Sequence, residues 1–566
     1  MKEPTRPIPQ PTVDRDGSLV AHTVATPTAF KVRARVTIGS RKVIPVIFVP
    51  GIMGSNLRAR RDMKAHDGDI LKPGEPAWRP PNTAIEAYRE AEKWDSRSPA
   101  VRQRILDPST LEVDPGGELD LAFCAIDAAV MRERGWGEVH ASSYGALLVD
   151  LQRHLEKTFQ VSPYGIRQVR HYWKRVMQCE PERWGVRSIE NVTESELERY
   201  AAFQYPVYAF GYNWLDSCEV AAKLLRKRID QIKEFWTERR HECRQVIIVT
   251  HSMGGLVARA CSRLSISEGG ASDIAGIIHA VMPALGAPVA YRRIACGTEG
   301  GNFTNGLADN IKAAKFAEIA GETSAKTTPV MAVAPGVLQL LPNHLYPKPW
   351  LIIKTIWGAN GRDDVRDMVS LPVGSPYELY RDMDSWYRMI DPVLADPAHR
   401  YGRKNGGVRK RILSAIDEAE RFHTKVLSDE SQNEPDRPYY HPNTYAFYGA
   451  DRSLKAYGQI RWVAKVPPES HAVLTPANIR AGKLIAYGKD GAREIEVEGG
   501  VRLSFSVWPQ DANGDETLPV QSGAGPTRHI RQIFAPAGFR HQDSFHHEDM
   551  LLLTRHLIVK IVQEIR

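Results

Sequence analysis

The chain reads as an α/β protein: a mostly parallel sheet with helices on both faces and long insertions between its elements. Three observations carry that reading. Short apolar runs rich in β-branched residues (43–49, 246–249, 274–281) alternate with amphipathic helical stretches (217–239, 548–563). A single serine, Ser252, is caught between one such run and an apolar helix opened by Gly254 and Gly255. The strand at 43–49 runs directly into a glycine-containing turn, Pro50-Gly-Ile-Met-Gly-Ser-Asn-Leu57.

Taken in order, residues 1–40 are rich in Pro and Thr and read as an arm ending in a strand at 31–38. Pro-rich turns (Trp78-Arg-Pro-Pro-Asn82, Asp114-Pro-Gly-Gly117) punctuate short helices over 58–135. A helix is expected from about residue 144 and a parallel strand over 205–214. The helix at 217–239 then crosses over to the serine strand, with Val220, Leu224, Ile229, Ile232 and Phe235 as its apolar positions. After the strand at 274–281 comes Gly-rich sequence (296–306), a short helix at 311–319 and an apolar segment at 337–341. Residues 350–437 hold aromatics (Trp350, Trp357, Tyr377, Tyr380, Trp386, Tyr387) and a charged helix near 407–427. An amphipathic helix at 548–563 closes the pattern.

A serine on a sharp strand-to-helix turn has its hydroxyl pushed out above the sheet. Gly254 fits the G-x-S-x-G pattern of such turns, whereas Thr250 stands where the pattern has its first glycine. The turn after the 43–49 strand supplies one backbone N–H for an oxyanion and the residue after the serine the other, so Ile52 and Met253 are the expected donors. Downstream, Asn513-Gly-Asp-Glu-Thr-Leu-Pro-Val520 offers Asp515, and Gly538-Phe-Arg-His-Gln-Asp-Ser544 offers His541. The order Ser252, Asp515, His541 is that of a Ser-acid-His triad in an α/β-hydrolase. Asp451, after a strand near 445, is an alternative acid, and His546 and His547 are alternative bases. Asp511-Ala-Asn513-Gly-Asp515 also resembles the start of a calcium loop. It has Glu516 where such a loop needs glycine and Ser522 where it needs glutamate. No metal or cofactor is therefore assigned.

With these residues in view, the chain resembles the lipase branch of the α/β-hydrolases that holds lecithin:cholesterol acyltransferase, the GPI-inositol-deacylase-like esterases and related bacterial lipases. Pro50-Gly-Ile-Met-Gly-Ser-Asn-Leu57, Gly211-Tyr-Asn-Trp-Leu-Asp216, Thr250-His-Ser-Met-Gly-Gly255, Met282-Pro-Ala-Leu-Gly-Ala-Pro-Val-Ala290, residues 445–457, 514–519 and 538–541 carry the likeness. It implies one hydrolase domain over 41–566, with insertions at about 58–135 (a cap), 295–330 (a lid) and 350–437 (a second cap). It also implies serine-dependent hydrolysis of lipid carboxylic esters, as a phospholipase A or lipase, in transient contact with a membrane surface. A housekeeping esterase or an acyltransferase is the alternative. Some bacterial proteins of this kind are phospholipase effectors of the type VI secretion system. That looser likeness would add an immunity protein and secretion-apparatus components as partners, a role as toxin, and export to a target-cell periplasm.

Composition sets bounds on other classes. Hydrophobic residues at 42% suffice for a large core, and the net charge of +8 is compatible with anionic surfaces without requiring them. No run of 18 apolar residues is present, and the first residues lack the apolar stretch of a secretory signal, so a cytoplasmic start in the producing cell is expected. Six scattered cysteines have no metal spacing and read as buried thiols. No repeat, nucleotide-binding motif or nucleic-acid module is evident.

Overall fold

Six apolar runs form one sheet: Val46–Val49 (β1), Val207–Ala209 (β2), Val246–His251 (β3), Ile274–Ala280 (β4), Thr444–Phe447 (β5) and Gln532–Phe534 (β6). This computed structural model describes residues 40–63, 70–120, 126–161, 167–267, 271–301, 306–359, 362–402, 406–429, 437–467 and 474–565, and the backbone of three N-terminal strands (Thr12–Val13, Leu19–Thr23, Ala34–Ile38). In space the strands run β2-β1-β3-β4-β5-β6, and every neighbouring pair is parallel. Parallel neighbours need crossovers that return over the sheet, and here helices supply them on both faces. Every residue of β1, β3 and β4 is buried, which is why these strands read as continuous apolar runs rather than alternating ones. The fold is that of an α/β-hydrolase.

Five helices position the site: Ala141–His154 (α1), Cys218–Glu238 (α2), Gly254–Ser267 (α3), Leu307–Ala320 (α4) and Glu548–Gln563 (α5). Val46, Phe48, Ile247 and Val249 join a core with Leu147 and Leu151 of α1 and with Leu553 and Leu557 of α5. Alternate residues Ile47, Val49 and Ile248 join the opposite core with Leu225 and Ile229 of α2 and with Leu256 and Val257 of α3. One part of the α2 expectation is corrected. Val220 and Leu224 lie 42% and 51% exposed, and the buried stripe is Cys218, Ala221, Ala222, Leu225, Ile229 and Ile232. The small residues Ala221 and Ala222 suit the close packing of α2 against α3, and the larger Val220 and Leu224 face outward.

Most of the N-terminal arm expected over 1–40 lies outside the described residues, as do Cys124 and residues 302–305. Within the expected first cap, Leu57–Ala59, Pro76–Trp78 and Leu111–Val113 form a small antiparallel sheet, and the helix Ala84–Asp95 packs against α4. Strands Leu351–Ala359 and Arg362–Leu371, from the expected second cap, join a second six-stranded sheet with strands drawn from 460–507. Four described cysteines are buried, Cys179 is half-buried, and none of the five forms a disulfide.

Burial holds the imidazoles of His251, His279 and His556 down to about 3, and those of His423 and His441 down to about 4. In the unfolded chain a histidine titrates near 6.5. Below that pH the unfolded state takes up protons that the folded state refuses, so the stability these groups leave intact above pH 6.5 is lost as pH falls toward 4. Each of the five is expected to remove up to about 1.4 kcal/mol per pH unit across that window. Urea unfolding followed from pH 7 to pH 4 checks this, and a flat profile would contradict it.

Candidate active site

Ser252 joins β3 to α3 with φ 50°, a conformation that non-glycine residues rarely adopt. Its N–H donates to the Ala280 carbonyl at 2.9 Å, which ties the turn to the end of β4. Space around the turn is the controlling factor. A Cβ on Gly51 would stand 2.8 Å from His251 Nδ1 and 2.9 Å from Ser252 Cβ, and one on Gly254 would stand 2.4 Å from the Val49 carbonyl oxygen. Thr250 is tolerated at the pattern's first glycine because it lies within β3, with Oγ1 3.0 Å from His279 Nδ1 on the neighbouring strand.

The structure brings Ser252, His541 and Asp515 into one hydrogen-bonded line. His541 Nε2 lies 2.9 Å from Ser252 Oγ, and its Nδ1 lies 2.8 Å from Asp515 Oδ2. Asp515 is fully buried, and its Oδ1 accepts the N–H groups of Leu518 (2.7 Å) and Thr517 (3.2 Å). Those two bonds aim Oδ2 at the imidazole. A carboxylate only accepts, so Nδ1 carries the proton and Nε2 presents its lone pair to the serine hydroxyl. Asp451 does not reach the imidazole. Its Oδ1 accepts from Ser453, and its Oδ2 accepts the Gly538 N–H at 2.8 Å, which anchors the loop leading to His541. His546 donates to the Ser142 carbonyl, and His547 caps α5 with Nδ1 3.8 Å from Asp549, so neither meets Ser252. Asp511 accepts the N–H groups of Gly458 and Gln459, and Asn513 accepts from Lys455.

Gly51 to Gly54 close a tight turn through the Gly54 N–H and the Gly51 carbonyl (3.1 Å), with Met53 at φ 61°. Trp78 Nε1 braces the turn from the first cap by donating to the Met53 carbonyl at 2.9 Å. Among the described residues, neither the Ile52 nor the Met253 amide donates to a protein acceptor. Left-handed backbone recurs around the site, at Met53, Ser252, Val281 and Glu516. For a β-branched valine this is a true outlier, and such strain persists only where surrounding structure dictates it.

Two residues absent from the sequence expectations complete the site. The Gly51 N–H donates to Tyr144 Oη (3.2 Å), the Tyr144 hydroxyl meets His251 Nδ1 (3.1 Å), and His251 Nε2 meets the His541 carbonyl (2.9 Å). Burial, reinforced by His541, keeps His251 neutral, and burial pushes Tyr144 up to about 12. With one proton on His251 Nε2, each link has a donor and an acceptor. The chain of bonds joins the glycine turn, across the serine strand, to the main chain of His541. A polar residue inside the apolar β3 run was the available signal for His251, while nothing local marked Tyr144.

A fluorophosphonate that reacts with activated serines is expected to label Ser252 in the parent chain and to leave Ser252→Ala unlabelled. Tyr144→Phe strands the Gly51 N–H and His251 Nδ1, and should slow labelling about tenfold, corresponding to about 1.4 kcal/mol in the barrier. Equal labelling rates would deny Tyr144 a role in shaping the site.

Comparison with known proteins bears on the fold. Residues 201–338, which include β2, β3, β4 and Ser252, match the family described as PGAP1-like alpha/beta domain. No curated protein matches the chain significantly. Among solved structures, one chain of the crystal structure of the Tle4-Tli4 complex is similar at 26% identity and a TM-score of 0.71, over 92% of this chain and 98% of that one. A second match, phospholipase PlaB from Legionella pneumophila, has 10% identity over 53% of this chain and 71% of that one, and its TM-score of 0.15 adds nothing to the fold. The chain is an α/β-hydrolase-fold protein, with a PGAP1-like core and a likeness to the Tle4-Tli4 structure that spans nearly its whole length.

Proposed function

We propose that this protein hydrolyses carboxylic esters of phospholipids by a serine acyl-enzyme route. The observation that carries the proposal is the unbroken Ser252–His541–Asp515 line, in which each partner is oriented by a separate loop. Ser252 Oγ attacks the ester carbonyl while His541 Nε2 takes its proton, and Asp515 stabilises the resulting imidazolium. The tetrahedral oxyanion is received by the Ile52 and Met253 N–H groups. His541 then protonates the departing alcohol, and water admitted to the acyl-enzyme repeats the sequence to release the fatty acid.

The lipid assignment rests on the covering layer as well as on the resemblance. Ser252 and His541 retain only 6% and 8% exposure, so an ester must displace something to reach them. Helix α4 carries Ile311 and Phe316 exposed to solvent, while Ala317 and Ile319 near its C-terminal end are buried. Apolar side chains left in solvent beside buried ones suit a helix that passes between protein and lipid. The following helix, Ser324–Met331, is buried, and Pro335–Leu338 packs beside Met253, so α4 is the mobile element of the lid. The similarity to a chain of the Tle4-Tli4 complex supports a protein partner, and a role as a delivered toxin is what the resemblance to type VI effectors implies.

Ser252→Ala, Asp515→Asn and His541→Ala are each expected to fold and to lose several orders of magnitude in kcat on phospholipid. Parent-like ester cleavage by Ser252→Ala would refute the mechanism. Ile311→Asn with Phe316→Asn should slow hydrolysis of vesicles at least several-fold while sparing dispersed short-chain esters, and equal loss on both would argue against the lid. Expression directed to a bacterial periplasm should be toxic, and Ser252→Ala should abolish that toxicity. Harmless expression would favour a housekeeping esterase.

A further inference from the structure

Arg540, one residue before His541, joins three elements of the site. Its Nη2 donates to Asp309 Oδ2 on α4 at 2.7 Å, and its Nε donates to Glu516 Oε1 at 3.0 Å. Glu516 directly follows Asp515 and is itself in left-handed backbone. The guanidinium therefore ties the first turn of α4 to both loops that carry the acid and the base. The other end of α4 is held differently. Arg102, 1% exposed, donates to the Ile319 carbonyl (2.9 Å) and the Glu318 carbonyl (2.7 Å), which pins the C-terminal turn. Gly321, at φ 110°, follows that turn. With its C-terminal turn pinned, α4 would part from Arg540 at the Asp309 end if it lifted.

Asp309 is the partner carried by α4, whereas Glu516 lies on the same loop as Asp515. Two carboxylates, Asp309 at 2.7 Å and Glu516 at 3.0 Å, share this one cation. Burial, with Asp309 and Asp515 close by, holds the Glu516 carboxyl above its usual range despite Arg540. Lifting α4 relieves that repulsion and leaves a one-third-exposed guanidinium with free N–H groups beside the base. A planar guanidinium that has just released a carboxylate has the geometry to accept a phosphodiester in its place.

We propose that Arg540 is the headgroup-selecting residue: Asp309 occupies it while α4 is down, and the lipid phosphodiester replaces Asp309 when α4 lifts. This deepens, and rests on, the phospholipid-ester reading above. Arg540 is a positioning residue, since it holds the substrate and takes no part in bond making.

The test is to measure kcat and KM of the full chain on phosphatidylglycerol vesicles and on emulsified diacylglycerol with the same acyl chains. Asp309→Asn frees the guanidinium and should lower KM for the phospholipid several-fold. Arg540→Gln should raise it about tenfold, and Arg540→Lys should fall between parent and Gln. The ratio of the phospholipid KM to the diacylglycerol KM should follow the same order, whatever change the two substrates share. Opposite signs for two substitutions at one ion pair are the signature, because a purely structural tie would respond alike to the loss of either partner. Shifts of the same sign, or an unchanged phospholipid-to-diacylglycerol ratio in Arg540→Gln, would overturn the assignment while leaving the hydrolase reading intact. A parent chain inactive on both lipids would overturn that reading and the assignment with it. Millimolar inorganic phosphate should not compete. Competition that disappears in Arg540→Gln would assign the guanidinium to free phosphate and end the headgroup proposal.

Discussion

Close approach of backbone to backbone at the top of the central sheet is the constraint from which the rest follows. Gly51 lies against His251 and Ser252, and Gly254 lies against the carbonyl that ends β1, with no room for a Cβ at either place. That contact forces Ser252 into left-handed backbone and turns its hydroxyl away from the sheet. It also sets the glycine turn beside the first N–H groups of α3. The strain is held by hydrogen bonds on every side: Ala280 on the Ser252 amide, Phe447 on the Val281 amide, and Trp78 on the Met53 carbonyl. Side chains then need only modest direction, which loop carbonyls and amides provide.

The parts of this arrangement that were legible in the sequence share a local cause. A buried parallel strand must be apolar on both faces, so 246–249 and 274–281 announce themselves. The serine turn needs small neighbours, so Gly254 marks it. Asp515 lies in a turn whose Gly514 and Pro519 shape the backbone around the carboxylate, and the amides of Thr517 and Leu518 close on Oδ1 as such a turn permits.

What stayed hidden is set by distance along the chain or by neighbour size. Tyr144 reaches the site from α1, 107 residues before His251, and its helix gives no hint that the hydroxyl points at a histidine. The pairing of 351–359 with 460–466 joins strands separated by a long stretch that includes β5, so no periodicity connects them. The misplaced stripe of α2 shows a subtler limit: apolar spacing alone favoured Val220 and Leu224, whereas close packing against α3 selected the alanines beside them. Asp451 reads as an acid on position alone, yet its carboxylate is spent on main-chain amides of the loop it supports.

The separation of 289 residues between the serine and its imidazole partner has a consequence for synthesis. Strands β1 to β4 and the serine turn can leave the ribosome and associate while the segment bearing the imidazole has yet to be made. Until β5 and β6 add to the sheet edge and the 538–541 loop docks over β3, the hydroxyl faces no base. On the proposed mechanism a nascent or stalled chain therefore lacks its base, and hydrolytic competence belongs to the closed tertiary structure rather than to any segment within it.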